Sequence, residues 1–269
     1  MTIASLMVEV DLESDNNALL RFTADLAGQH GASVIGIAVR QPHQILYGDG
    51  YVPIQVLEAE ESELEKKLER AREHFESAMH GRTESFAWRF STVLGPSSEY
   101  IVQQARAADI VIVGSSRRRA ALLGGIVIGA GRPVLVVPND LEGSNLDRVL
   151  IAWKDTREAR RVTLDAMPFI RKARAVEVIE VAPHEDRADA ASRLEDVILW
   201  LRRHGVQAEA QVISASGDNA AQLTDIVTEH HANLVVAGGY GHSRLQEWIL
   251  GGVTRSLLTV PKCCTFLSH

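Results

Sequence analysis

Short runs of Val, Ile, Leu and Ala alternate along the chain with amphipathic stretches of helical period. The apolar runs fall at 5–10, 33–39, 86–93, 109–113 and 133–137, and then at 148–153, 176–181, 207–213, 233–237 and 262–267. They are apolar at successive positions, which predicts strands covered on both faces. Their alternation with helical segments predicts βαβ units and a parallel sheet. Gln29-His30-Gly31 and Arg203-His204-Gly205 predict helix ends closed by glycine. Between the second and third runs, Leu57, Leu64, Leu68, Ala71, Phe75 and Ala78 recur at helical spacing. They predict a helix over 57–79 that covers one face of a sheet, the stripe being too short for a sustained coiled coil. The loop before it, Gln41–Gln55, is long and holds Pro42, Tyr47, Gly48, Gly50, Tyr51 and Pro53.

The second set of runs repeats the first. Ala108–Gly114 resembles Ala232–Gly238 at an offset of 124 positions, Ser5–Val10 matches Arg148–Trp153, and Arg132–Pro138 matches Val260–Phe266. Repetition at half the chain length implies a duplicated domain and not a solenoid of short units. A chain of 269 residues also suits two cores better than one. The expected fold class is α/β, with two tandem doubly wound parallel-sheet domains, 1–141 and 146–269. The polar stretch Asn139–Asp147 forms the seam.

Composition narrows the function classes. A chain 46% hydrophobic and 23% charged can bury real cores, which excludes wholesale disorder. A net charge of −7 provides no general field for phosphate backbones, so nucleic acid is not an expected partner. Ala120–Gly131, the longest stretch without a charged side chain or long polar one, is too short to span a membrane. The first residues lack the basic start of a secretory signal, and adjacent Cys263 and Cys264 cannot build a disulfide framework. A cytoplasmic protein with no membrane partner is expected. The adjacent pair His230-His231 reads as a helix terminus, because neighbours on a helix do not share a face. No His/Cys spacing suggests a structural metal.

Candidate chemistry concentrates after the ninth run, where Gly238, Gly241, Gly251 and Gly252 spell Gly-x2-Gly-x9-Gly-Gly. Glycines leaving a strand let backbone N–H groups approach a ligand, and a helix start behind them suits phosphate. With 20 glycines in the chain, chance places the first three at this spacing about 0.1 times, so position carries the argument. The carboxyl end of parallel strands is where such folds bind ligands. His242 sits inside this loop and either reaches a phosphate or solvates the turn.

The duplicated halves, the glycine motif and the strand beginning Val149-Leu150-Ile151-Ala152-Trp153 resemble a tandem universal stress protein. The resemblance covers essentially the whole chain and is most specific over Gly238–Leu258. It implies five parallel strands per domain (an adenine nucleotide α-hydrolase-like fold) and pairing of the domains through their last strands. It also implies an ATP or related adenine-nucleotide site, with Mg²⁺, in which Gly-x2-Gly-x9-Gly-Ser/Thr wraps the phosphates. An aspartate after the first strand contacts base or ribose. Carried over, this nominates Ala237, Gly238, Gly241, Gly251, Gly252 and Val253, with Val181 at the end of the second strand. Two positions depart from the pattern. Gly252 stands where the Ser/Thr hydroxyl belongs, and Lys154, followed by Asp155, stands at the aspartate position. A lysine attracts phosphate but accepts no bond from a ribose hydroxyl. The first half reverses this: Asp11 holds the aspartate position, while Arg117 breaks the glycine spacing that starts at Gly114. Neither half has a complete site, and the first is expected to be degenerate. Arg117-Arg118-Arg119 reads as a solvated basic loop.

No nucleophile or acid–base pair stands in a recognisable place. There is no GxSxG, no phosphate-loop lysine motif and no GxGxxG after a strand. Two readings of different class therefore stay open. One is a stress-response module with a nucleotide site in the second domain and, at most, slow ATP hydrolysis. The other is a structural or protein-interaction module of the same fold that binds no nucleotide. An ATP-using transferase is a weaker third. Expected partners are the two domains for each other, a further copy of the chain in a homodimer, and a protein partner that the sequence does not identify.

Overall fold

The computed structural model describes residues 2–41, 54–141, 143–239 and 252–269, together with the backbone but not the side chains of Ile54 and Leu57. Each apolar run forms a strand. The first domain contains β1 (Ser5–Glu9), β2 (Ser33–Arg40), β3 (Phe86–Thr92), β4 (Ile110–Gly114) and β5 (Val134–Val137). The second contains β6 (Arg148–Trp153), β7 (Ala175–Ala182), β8 (Glu209–Ser214), β9 (Leu234–Gly238) and β10 (Cys264–Ser268). Helices α1 (Asn17–His30), α2 (Ile54–Met79), α3 (Ser97–Gln104) and α4 (Ala120–Gly129) cover the first domain. The second is covered by α5 (Arg157–Asp165), α6 (Met167–Ile170), α7 (Arg187–Arg203), α8 (Asn219–Glu229) and α9 (Gly252–Thr259).

Side chains of successive strand residues point to opposite faces, so a run apolar at every position must be buried twice. In β1, Leu6 and Val8 join one core cluster with α1 and α2, while Met7 joins another beneath α3 and α4. In β6, Val149 and Ile151 divide from Leu150 in the same way. Within each domain the strands are parallel, in the order β3-β2-β1-β4-β5 and its repeat β8-β7-β6-β9-β10.

The two halves form one sheet. β5 and β10 pair antiparallel, with Leu135 opposite Phe266, to give ten strands among the described residues. Phe266 then meets Phe169 of α6 edge-on at a centroid distance of 5.4 Å, and Phe169 meets His30 of α1 at 6.1 Å. Both domains thus contribute to one core layer on that face.

Local signals behave as the sequence predicts at several points. Gly31 and Gly205 close helices α1 and α7 with φ of +61° and +80°, a region glycine enters without a Cβ clash. His230 caps α8, and its Nδ1 lies 2.5 Å from Glu177 Oε2. Cys263 and Cys264 are buried free thiols, and burial pushes Cys263 up to about 12 and raises Cys264 as well. Helix α2 is longer than its stripe predicts, and only its second half covers the sheet. Phe75 and Met79 are fully buried, and Phe75 stacks on Trp88 at 5.4 Å. Leu64 and Leu68, nearer the middle of the helix, are only half-buried. Most of the long loop before α2 and the side chain of Leu57 lie outside the described residues.

Candidate functional site

The carboxyl ends of β1, β2 and β4 open at one edge of the first domain, and those of β6, β7 and β9 do so in the second. In the first domain this edge holds a contact cluster of Glu9, Asp11 and Arg119. β1 ends in Glu9, which is 2% exposed, and the chain then turns through Asp11. Arg119, just before α4, reaches back across the strand ends. Its Nη1 lies 2.9 Å from Asp11 Oδ2, and its Nη2 contacts Glu9 Oε1. The solvated reading therefore holds for Arg117 and Arg118, which are exposed, and fails for Arg119, whose side chain is 21% exposed. A buried carboxylate at the end of an apolar strand needs a cation, and this arginine is the one within reach.

Asp11 is fully engaged. Its Oδ1 accepts from Glu13 N–H at 3.1 Å and its Oδ2 from the Ser14 hydroxyl at 2.8 Å, besides the Arg119 pair. Asn16 locks the same turn by donating to the Asp11 and Ser14 carbonyls at 2.8 and 2.9 Å. Burial by itself would push the Asp11 carboxyl up, but Arg119 and the two hydrogen bonds hold it below the ordinary aspartate value. Glu9 goes the other way: burial raises it, aided by the Asp11 charge, and Arg119 offsets only part of that. Glu9 Oε2 is buried and has no hydrogen-bond partner.

Two glycines of α4 serve packing. A Cβ on Gly125 would lie 2.7 Å from Ser98 Oγ, and one on Gly129 would lie 3.0 Å from Val102. These glycines let α4 sit close against α3. Gly114, at the exit of β4, would accept a Cβ at 3.5 Å from Asn139, an ordinary contact. Arg117 is exposed on the rim of a small crevice shared with Asp11 and Gly114. The structure therefore brings Asp11, Gly114 and Arg117 together, with Arg119 between them and the strand ends.

In the second domain, strand register aligns Ala152 with Ala237 and Trp153 with Glu180. Lys154 follows β6 directly and comes level with Val181, the penultimate residue of β7, while Gly238 ends β9 beside Trp153. Asp155 pairs with Arg160 at 2.5 Å, and Thr156 caps α5 through Ala159 N–H at 3.3 Å. Gly238 lies close against the start of that helix, where a Cβ would be 2.7 Å from Ala159 N. Beyond it, Gly239 N–H donates to Ser268 O at 2.9 Å. Gly252 opens α9, and a Cβ there would meet no described atom within 4 Å. The Val253 side chain packs into the seam between α8 and α9, which leaves only its backbone facing away from that seam. Gly241, His242 and Gly251 lie outside the described residues.

The triad of the first domain has no sequence counterpart in the second. Strand register and the 124-residue offset match Glu9, Asp11 and Arg119 with Ala152, Lys154 and Ser243. Sequence reasoning missed Glu9 and Arg119. The usable signal was Glu9 itself, a carboxylate inside a strand whose neighbours Val8 and Val10 require burial. Among the described residues, no group of three or more His, Cys, Asp and Glu side chains could hold a metal ion. No described helix is long and apolar enough to cross a membrane.

Two α/β units fused through their last strands define a tandem-domain protein. The chain belongs to the universal stress protein family, whose model matches residues 3–130 and again 132–266. A universal stress protein from Archaeoglobus fulgidus DSM 4304 shares the fold at 17% identity with a TM-score of 0.74, over 98% of this chain and 95% of that one. A functionally unknown protein from Pseudomonas aeruginosa PAO1 does so at 16% identity and a TM-score of 0.57, over 99% and 92%. A universal stress protein from Archaeoglobus fulgidus, solved in complex with dAMP, matches at 22% identity and a TM-score of 0.34, over 51% and 98%. No curated protein matches the chain.

Proposed function

We propose that the chain is a stress-response module whose second domain binds an adenine nucleotide with Mg²⁺, while its first domain takes no nucleotide. The observation that carries this reading is the asymmetry of the two ligand edges. In the first, Arg119 occupies Asp11, and Gly125 and Gly129 of α4 pack against α3. In the second, Lys154, Val181 and Gly238 lie at the ends of adjacent strands, and α9 begins at a glycine that no described atom crowds. Ala237 and Gly238 bring the backbone to this edge, and Gly241, His242, Gly251, Gly252 and Val253 supply the rest of the loop. N–H groups at the start of α9 suit a phosphate chain, and Lys154 and its neighbour Asp155 flank the opposite side.

In this reading the nucleotide is a ligand that stabilises one conformation by an amount set by its concentration relative to its affinity. Turnover is at most slow. The protein works in the cytoplasm. Because β5 and β10 already pair with each other, a homodimer or a protein partner must use another surface.

Mass spectrometry of small molecules released from freshly purified, undialysed protein tests the proposal. ATP, ADP or AMP near one equivalent per chain supports it. An empty protein that also fails to bind added Mg-ATP overturns it in favour of the interaction module.

A further inference from the structure

Among the described residues, the first domain leaves a cleft of about 1130 Å³ between the start of α2 and the ends of β1 and β2, bounded on its far side by α4. This is ample for a small-molecule ligand. Its walls include Leu12, Val39, Val56, Leu64 and Leu122. Most of its cationic groups are already paired. Arg40 holds Glu61 at 3.0 Å, Lys67 holds Glu13 at 2.7 Å, and Arg119 holds Asp11 and Glu9. What is left over is an acceptor: Glu9 Oε2, on a side chain that lines the cleft yet is 3% exposed. Two carboxylates share one guanidinium here, and Arg119 reaches only one oxygen of Glu9. A buried carboxylate oxygen without a donor is costly, and a ligand supplying that donor regains the difference.

We propose that this cleft binds a small organic cation, a primary ammonium on an apolar body, with the ammonium directed at Glu9 and the body against the aliphatic walls. The site is separate from the nucleotide edge of the second domain and does not depend on that assignment.

The test uses the full chain and three probes of one shape: hexylammonium, hexanol and hexanoate, titrated by calorimetry at constant ionic strength. Hexylammonium is expected to bind at one equivalent, about tenfold more tightly than hexanol, with hexanoate weaker still. Glu9→Gln keeps the shape and removes the charge, and is expected to erase the preference for hexylammonium over hexanol. Ala121→Trp alters an exposed position on the cleft wall without touching the triad, and is expected to block both probes. Equal affinity for hexylammonium and hexanol, an unchanged preference in Glu9→Gln, or full binding in a folded Ala121→Trp variant overturns the proposal. So does displacement of the probe by Mg-ATP from a Gly241→Asp chain, since that would make the cleft a nucleotide site.

Discussion

Arg119 Nη1 lies 2.9 Å from Asp11 Oδ2, across 108 positions of sequence, and the residues at the matching places of the second domain, Lys154 and Ser243, cannot form such an ion pair. The aspartate that the family resemblance assigns to base or ribose is here an ion-pair partner inside its own domain. Removing the guanidinium would leave Glu9 and Asp11 together without a cation. Arg119→Met is therefore expected to destabilise the protein by about 3 kcal/mol in urea unfolding, the usual scale for breaking a buried pair from one side. The double variant Arg119→Met with Glu9→Gln should recover part of that loss.

The pH dependence follows from the opposite shifts of the two acids. Asp11 lies below its ordinary 3.8, so the unfolded chain holds the proton more tightly there, and stability from this group is lost as pH falls through the folded value. Glu9 lies above its ordinary 4.5, so between that value and its raised one the folded chain holds more protons. Its contribution to stability therefore falls as pH rises through that window. Relative to Glu9→Gln, the wild type should lose stability from about pH 4.5 upward until Glu9 is ionised in both states. Parallel stability profiles for the two proteins across that range would contradict the burial of this carboxyl.

Gly238 and Gly114 end equivalent strands but tolerate different changes. Gly238→Ala would place a methyl 2.7 Å from Ala159 N, against backbone that cannot move aside. It should cost about 1–3 kcal/mol, the range for overpacking. Gly114→Ala meets nothing closer than 3.5 Å and should stay within about 1 kcal/mol of wild type. Denaturant midpoints of the two variants check the contrast.

Gly252 offers a gain instead of a loss. A side chain there meets no described atom within 4 Å, so Gly252→Ser should fold normally and return the hydroxyl that the family motif carries. An added hydrogen bond to a phosphate oxygen should tighten Mg-ATP about tenfold in calorimetric titration. Unchanged affinity would move the start of α9 away from the phosphates.

Much of the fold was legible because burial on both faces writes itself into consecutive apolar residues. Strands such as Leu234–Gly238 need no partner to be recognised, and the repeat supplied the order of elements. The antiparallel join at Leu135 and Phe266 was accessible only through family resemblance, since neither strand's composition specifies a direction. The Glu9–Arg119 contact was missed for a physical reason. It spans 110 positions, and an arginine run looks the same whether its last member is solvated or turned inward. At the strand ends of the second domain, residue types were legible at Lys154 and Gly252, but which atoms crowd Gly238, and that no described atom crowds Gly252, depends on helix placement.

The central claim, one nucleotide site in a chain of two similar domains, is tested most directly by the stoichiometry of Mg-ATP binding in equilibrium dialysis. Two variants at positions equivalent in the repeat, Gly241→Asp and Arg117→Asp, accompany the wild type. The expected result is one nucleotide per chain, abolished by Gly241→Asp and retained by Arg117→Asp. Two equivalents per chain, or loss of binding in Arg117→Asp alone, would contradict the account.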